Sequence, residues 1–232
     1  MLLTIEALQK RVTVCRVEDG KKVRRFDLEA GGDLKGALEA LAGEKLNGAN
    51  AAVAAAPERG QALTAAVERL TGKAPLVAGL DGYGDLAVCM DGVAEADPGL
   101  AAAAAGALGR YRLPCVLIRV GAETAVAALD DKGNYRGELL CPGVPPGEAL
   151  PAPERLLGAN RRERAQNGLV YGMAAMLDGL ITRVETVLGQ QATAVLFGPG
   201  ARDIFPHCHR NQNAIVDDDI VMRGLWRIWS GR

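Results

Sequence analysis

The sequence is poor in the residues that most often announce chemistry. It has two histidines in 232 residues, His207 and His209, so a histidine-based triad would have to draw on that pair. Its five cysteines, Cys15, Cys89, Cys115, Cys141 and Cys208, are scattered, odd in number and free of any CxxC pair. That spacing argues against a disulfide framework or a zinc site and for buried thiols. Neither sign of charge is in excess: 27 Lys and Arg stand against 28 Asp and Glu, so no overall field would hold nucleic acid or an anionic membrane. Long apolar runs are missing too. The alanine-rich stretch from Gly99 to Leu108 is too short to span a bilayer, and "MLLTIEALQKR" lacks the basic start and apolar core of an export signal. These absences predict a cytoplasmic protein with no nucleic-acid or membrane partner.

What is present is apolar bulk, 49% of the chain, enough for one large domain or two small ones. "LLTI", "VTVCRV" and "KVRRFDL" are β-rich runs, the last two split by "EDGKK", whose Asp19-Gly20 is a strong tight-turn signal. "DLKGALEALAGEKL" has Leu34, Ala37, Leu38 and Leu41 on one helical face, with Asp33 as N-cap and Gly43 near the stop. A strand "NAAVAAAP", a helix "ERGQALTAAVERLTG" and a strand "APLVAG" follow.

From Asp97 the order partly repeats: a helix, then the strands "PCVLIRV", "ETAVAALDD" and "NYRGELLCPG", a long helix over 160–188, the strand "ATAVLFG" and a last helix from about Asp217 to Trp229. A repeated meander with helix crossovers predicts an α/β protein of two related halves, 1–97 and 98–232, facing a cleft. In the long helix, Leu169, Met173, Met176, Leu180, Val184 and Val187 form the expected apolar stripe, whose methionines read as packing. The run "HCHR" places its side chains apart along an extended segment, with no second ligand pair nearby, and is not expected to bind metal. "PGVPPGEALPAPE" reads as an ordered elbow leading into the long helix.

The order of "ALDDKGNYRGELLCPGVPPGEAL", "LGANRRERAQNGLVYGMAAMLDGLITRVETVLG", "VLFGPGARDI" and "DDDIVMRGLW" resembles the C-terminal half of type III pantothenate kinases, the Bvg accessory factor family. "NAAVAAAPERGQALTAAVERLTGKAPL" and "EADPGLAAAAAGALGRYRLPCVLI" are similar to its preceding segments. The resemblance implies two ribonuclease-H-like halves of the acetate-and-sugar-kinase, heat-shock protein and actin type, arranged as a homodimer. It also implies transfer of the ATP γ-phosphoryl group to pantothenate, in coenzyme A biosynthesis, with Mg-ATP and a monovalent cation. Such chemistry needs a backbone cradle for phosphates, a carboxylate for metal and another for the alcohol's proton.

Position by position, the resemblance assigns Glu6 to the metal and Asp97 to the general base, with Gly121, Thr124, Gly198 and Ala201 on the nucleotide. The family's first phosphate loop, Asp-x-Gly-Asn-Thr, falls on Glu6 to Lys10, where Leu8, Gln9 and Lys10 replace Gly, Asn and Thr. Its second, Asp-x-Gly-Thr-Ala-Thr-Thr, falls on "RVGAETA", with Arg119 where the carboxylate should stand and Glu123 inside the loop. The substrate motif Gly-x-Asp-Arg becomes "EADP", in which Asp97 before Pro98 also reads as a helix N-cap. The adenosine turn becomes "FGPGA", whose Phe197 either stacks on a base or packs inward.

The scaffold positions are thus better kept than the chemical ones. The expectation is a pantothenate kinase-like pseudoenzyme that regulates, scaffolds or senses a ligand, pairing through its long helix and open to an unidentified protein partner. The alternative is an active ATP-dependent kinase acting on pantothenate or a related small alcohol.

Overall fold

In the computed structural model, which describes residues 1–29, 31–92, 95–144 and 153–231, the chain forms two compact units. One is Met1–Arg110 together with Asp219–Arg232; the other is Tyr111–Asp218. The expected halves divide at 97/98. The contacts instead group the helix after Asp97 with the first unit, and the chain's last helix returns to it. Most of the proline-rich elbow lies outside the described residues.

The first unit opens with β1 (Leu2–Ala7), β2 (Arg11–Glu18) and β3 (Lys21–Glu29), then α1 (Leu34–Ala42), β4 (Asn50–Ala55), α2 (Pro57–Thr71), β5 (Leu76–Val77) and α3 (Pro98–Ala107), and ends with α6 (Ile220–Ser230). Its sheet order is β3-β2-β1-β4-β5, antiparallel in the meander and parallel from β1 onward. Asp19 and Gly20 both take positive φ, 48° and 74°, as the tight β2–β3 turn demands. Successive strand residues face opposite ways. Leu3, Ile5, Ala51 and Val53 therefore meet Leu38, Leu41 and Val67 of α1 and α2 in one core. Asp33 caps α1 by accepting from Gly36 N at 2.8 Å, and Gly43 ends it at φ 57°, as the spacing predicts.

Helix α3 has no polar face: every residue from Gly99 to Ala107 is buried. It achieves this by pressing backbone to backbone against α6. A Cβ added at Gly106 would lie 2.2 Å from Ile220 O, and one at Gly224 would lie 1.6 Å from Ala102 O.

The second unit runs β6 (Cys115–Arg119), β7 (Glu123–Leu129), β8 (Tyr135–Pro142), α4 (Arg161–Leu188), β9 (Thr193–Phe197), the single turn α5 (Ala201–Ile204) and β10 (Ala214–Val216). Its sheet order, β8-β7-β6-β9-β10, repeats that of the first unit strand for strand. β10, which the sequence pattern did not predict, pairs parallel with β9 at the edge. Asn160 caps α4 by accepting from Glu163 N at 2.9 Å, and the Glu163 carboxylate accepts from Ala159 N, one residue before the cap, at 2.8 Å.

The buried stripe of α4 differs from the expected one. Val170, Met173, Ala174, Leu177, Ile181 and Val184 face the sheet, Leu169, Met176 and Leu180 sit at its margin, and Val187 is 86% exposed. The residues run at three-and-four spacing, but the stripe's centre is displaced from the expected line.

Candidate functional site

β6 and β9 are parallel, with Arg119 opposite Phe197, so both strands deliver their C-terminal loops to one edge of the second unit. Backbone bonds knit those loops together. Val120 N donates to Phe197 O at 2.8 Å, Gly200 N to Val120 O at 3.0 Å and Val144 N to Gly121 O at 2.7 Å.

Glycine is required twice here. Gly198 has φ 91°, and a Cβ on it would stand 2.8 Å from Val120 O and 3.3 Å from Cγ of Arg119. A Cβ on Gly143 would stand 2.2 Å from Gly121 O. Gly121, Gly198 and Ala201 thereby lie near one another, with Ala201 fully buried at the start of α5.

Thr124 points elsewhere. It is fully buried on the pleat face of Val126, which belongs to the core under α4, and its hydroxyl has no hydrogen-bond partner among the described residues. Phe197 is 2% exposed and packs inward.

Arg119 is the unusual member. It is 9% exposed at the end of β6, its chain passing over the Gly198 turn. The antiparallel register sets Arg119 opposite Ala125, and Glu123, two residues before Ala125, shares that pleat face and is exposed. Arg119 stays cationic at any physiological pH.

In the first unit, Glu6 is half-buried on β1, opposite Thr13 and Ala54. The turn after it is closed on itself. Leu8 N donates to Arg11 O at 2.8 Å, and Arg59 donates to Leu8 O at 2.8 Å. Residues 8–10 thus form a tight hairpin connection with a side chain at each position, where a phosphate loop would need open backbone. The Arg59 contact joins residues 51 apart, and no local spacing announces it. The Asp97 carboxylate accepts from Leu100 N at 2.9 Å, capping α3.

A divalent metal does not fit these residues. Among the described residues no group of three or more His, Cys, Asp or Glu is placed to hold one. The position at which the resemblance puts the second phosphate loop's carboxylate carries the buried Arg119. Two unit charges about 4 Å apart at an effective dielectric of about 20 interact by about 4 kcal/mol, and a divalent ion beside Arg119 would feel twice that as repulsion. Of the "HCHR" run, His207 lies edge-on to Tyr171 at 5.3 Å, Cys208 is buried and His209 is exposed.

Three thiols are inert by burial, which pushes Cys15 up to about 11 and Cys115 and Cys208 up to about 12.

A family model described as type III pantothenate kinase matches residues 13–183. The type III pantothenate kinase of Thermomicrobium roseum is 31% identical over 163 residues, 65% of this chain and 62% of that one. That of an Exiguobacterium strain is 27% identical over 139 residues, 54% of each chain. The chain therefore spans less than two thirds of the length of these relatives.

Among solved structures, a Campylobacter jejuni protein described as a conserved Baf family transcriptional activator superposes with a TM-score of 0.60 at 12% identity, covering 98% of this chain and 97% of that one. The polyphosphate/ATP-glucomannokinase of an Arthrobacter strain gives 0.55 at 16% identity, covering 100% and 99%. At these identities the likeness is one of fold. With the repeated five-stranded sheets, it identifies two ribonuclease-H-like halves of the acetate-and-sugar-kinase type.

Proposed function

The chain belongs to the type III pantothenate kinase family, and from that premise we propose that it is a pantothenate kinase-like pseudoenzyme with a regulatory, scaffolding or ligand-sensing role. The observation that carries this reading is the buried Arg119 where the family's second phosphate loop has a carboxylate. The closed turn at Leu8–Arg11 supports it. A phosphoryl-transfer site works by preorganised charge and donors, and each one lost costs about 3 kcal/mol, roughly a hundredfold in rate. Losses within one site are not additive, yet two altered loops still leave little turnover.

The glycine framework of Gly121, Gly143 and Gly198 speaks for the other reading, ATP-dependent phosphorylation of pantothenate or a related alcohol on the way to coenzyme A. That framework holds backbone in place but supplies no countercharge for a metal-bound triphosphate. The test is ADP release from purified protein with Mg-ATP and pantothenate. Turnover no greater than that of a no-enzyme control is expected, and sustained pantothenate-dependent ADP release would refute the reading.

We place the protein in the cytoplasm as a homodimer, pairing through the outer face of α4. There Gly168 and Gly172 are exposed, and an added Cβ would meet nothing within 4 Å. Met173, grouped with this face on sequence grounds, is 6% exposed and belongs to the unit's own core.

A further inference from the structure

We propose that a cavity across the N-terminal ends of β6, β9 and β10 is a binding site for a small organic carboxylate, with Arg112 as its countercharge. The cavity lies away from the glycine loops. Those loops follow Arg119 at the far end of β6, about 13 Å from Cys115 at about 3.3 Å per strand residue. A ligand held here is therefore independent of whether the loops turn over ATP.

The cavity has a volume of about 320 Å³, within the range of small-molecule pockets. Its chemistry is one-sided. Arg112, Gln191, Gln212 and Asn213 line it, and among the described residues no carboxylate does. The Arg112 guanidinium has no ion pair or hydrogen bond with another described residue, so its charge is uncommitted. One guanidinium beside three neutral carboxamides matches a ligand with one negative charge and amide or hydroxyl groups. A phosphate monoester, nearer two charges at neutral pH, would be left only partly neutralised. Leu113, Pro114 and Ile215 add an apolar wall for a short aliphatic body.

The walls are held from behind. Thr193 N donates to Pro114 O at 2.9 Å and Thr193 Oγ1 to Arg112 O at 2.9 Å, joining the segment before β6 to β9. Buried Glu185 of α4 accepts from Ala192 N at 2.9 Å and pairs through its other oxygen with Arg210, two residues before Gln212. Asp178 accepts from His209 N at 2.9 Å and Arg210 N at 3.0 Å, fixing the same segment. Walls tied in this way lose little further freedom when a ligand arrives.

The probes are N-acetylglycine, N-acetyl-L-leucine and N-acetyl-L-glutamine, each beside its uncharged N-methylamide, titrated into the full chain and followed by saturation-transfer NMR. Expected are millimolar binding of at least one acid, far weaker binding of its N-methylamide, and a loss of about tenfold or more in Arg112→Gln. Lys132→Gln removes an exposed cation elsewhere in the same unit and should change nothing, which separates the pocket from net charge. Ile215→Glu, at a position 40% exposed, sets a like charge in the wall and should also weaken binding. Thermal denaturation checks that the variants are folded. Equal binding of acid and N-methylamide, binding indifferent to Arg112→Gln, displacement of the acid by an equal concentration of inorganic phosphate, or no binding of any acid at millimolar concentration would overturn the proposal. ADP release in the kinase assay bears on the pseudoenzyme reading alone, so the two can fail separately.

Discussion

Asp97 does at least one job in full view: its carboxylate accepts from Leu100 N and starts a helix with Pro98 in its first turn. Asp97→Ala should therefore cost about 1 kcal/mol of stability, while Asp97→Asn, which also caps, should cost only a few tenths. Urea denaturation of the two variants checks this.

Asp27 offers a test by pH. Burial alone would raise its carboxyl, but hydrogen bonds from Arg11, Arg25 and Thr13 outweigh that and hold it at about 2. An unfolded Asp titrates near about 3.9, so this stabilisation is complete above about pH 4 and is lost as pH falls through about 2. Melting temperatures followed from pH 6 down to pH 2 should fall less steeply in Asp27→Asn than in the parent protein.

At this scale the sequence was legible where a residue's role is local. The caps Asp33 and Asp97 and the Asp19-Gly20 turn follow from neighbours within four positions. The inward turn of Thr124 does not, because its direction depends on which face of β7 the distant helix α4 covers.

Between elements, the most demanding contact is the crossing of α3 and α6, made at glycines in both helices. Gly224→Ala should destabilise by roughly 3 kcal/mol or more, since a methyl group has nowhere to go without separating the helices. Gly172→Ala, on the open face of α4, should gain roughly 0.5–1 kcal/mol from helix propensity. Thermal and urea denaturation of both variants would show the contrast.

Element order was largely readable, because periodicity and turn chemistry specify strands and helices of six residues or more. β10 was not: it has three residues, little alternation, and depends on pairing with β9. The stripe of α4 was readable as helical but displaced, since on an alanine- and glycine-rich helix the apolar arc is broad and the sheet chooses its centre.

For the molecule as a whole, thiol chemistry gives a simple readout of packing. With Ellman's reagent, exposed Cys89 should react at once and partly buried Cys141 more slowly, whereas Cys15, Cys115 and Cys208 should react only on unfolding. Early reaction of the last three would contradict the packing of β2, β6 and the segment after α5. Light scattering of the parent protein and of Gly172→Leu tests the proposed pairing: a dimer that becomes a monomer in the variant is expected. The twofold repeat of sheet order was anticipated from the sequence, whereas the membership of α3 and α6 was not, because close glycine contacts between segments 106 and 224 leave no mark at short range.

That membership sets a schedule for biosynthesis. Tyr111–Asp218 is an uninterrupted stretch and can close as soon as it has emerged from the ribosome. The unit that begins at Met1 must wait, with the apolar flank of α3 uncovered, until residues 220–230 arrive more than a hundred positions later. Trimming the chain just before Ile220 would therefore unravel the half that is made first and spare the half made second.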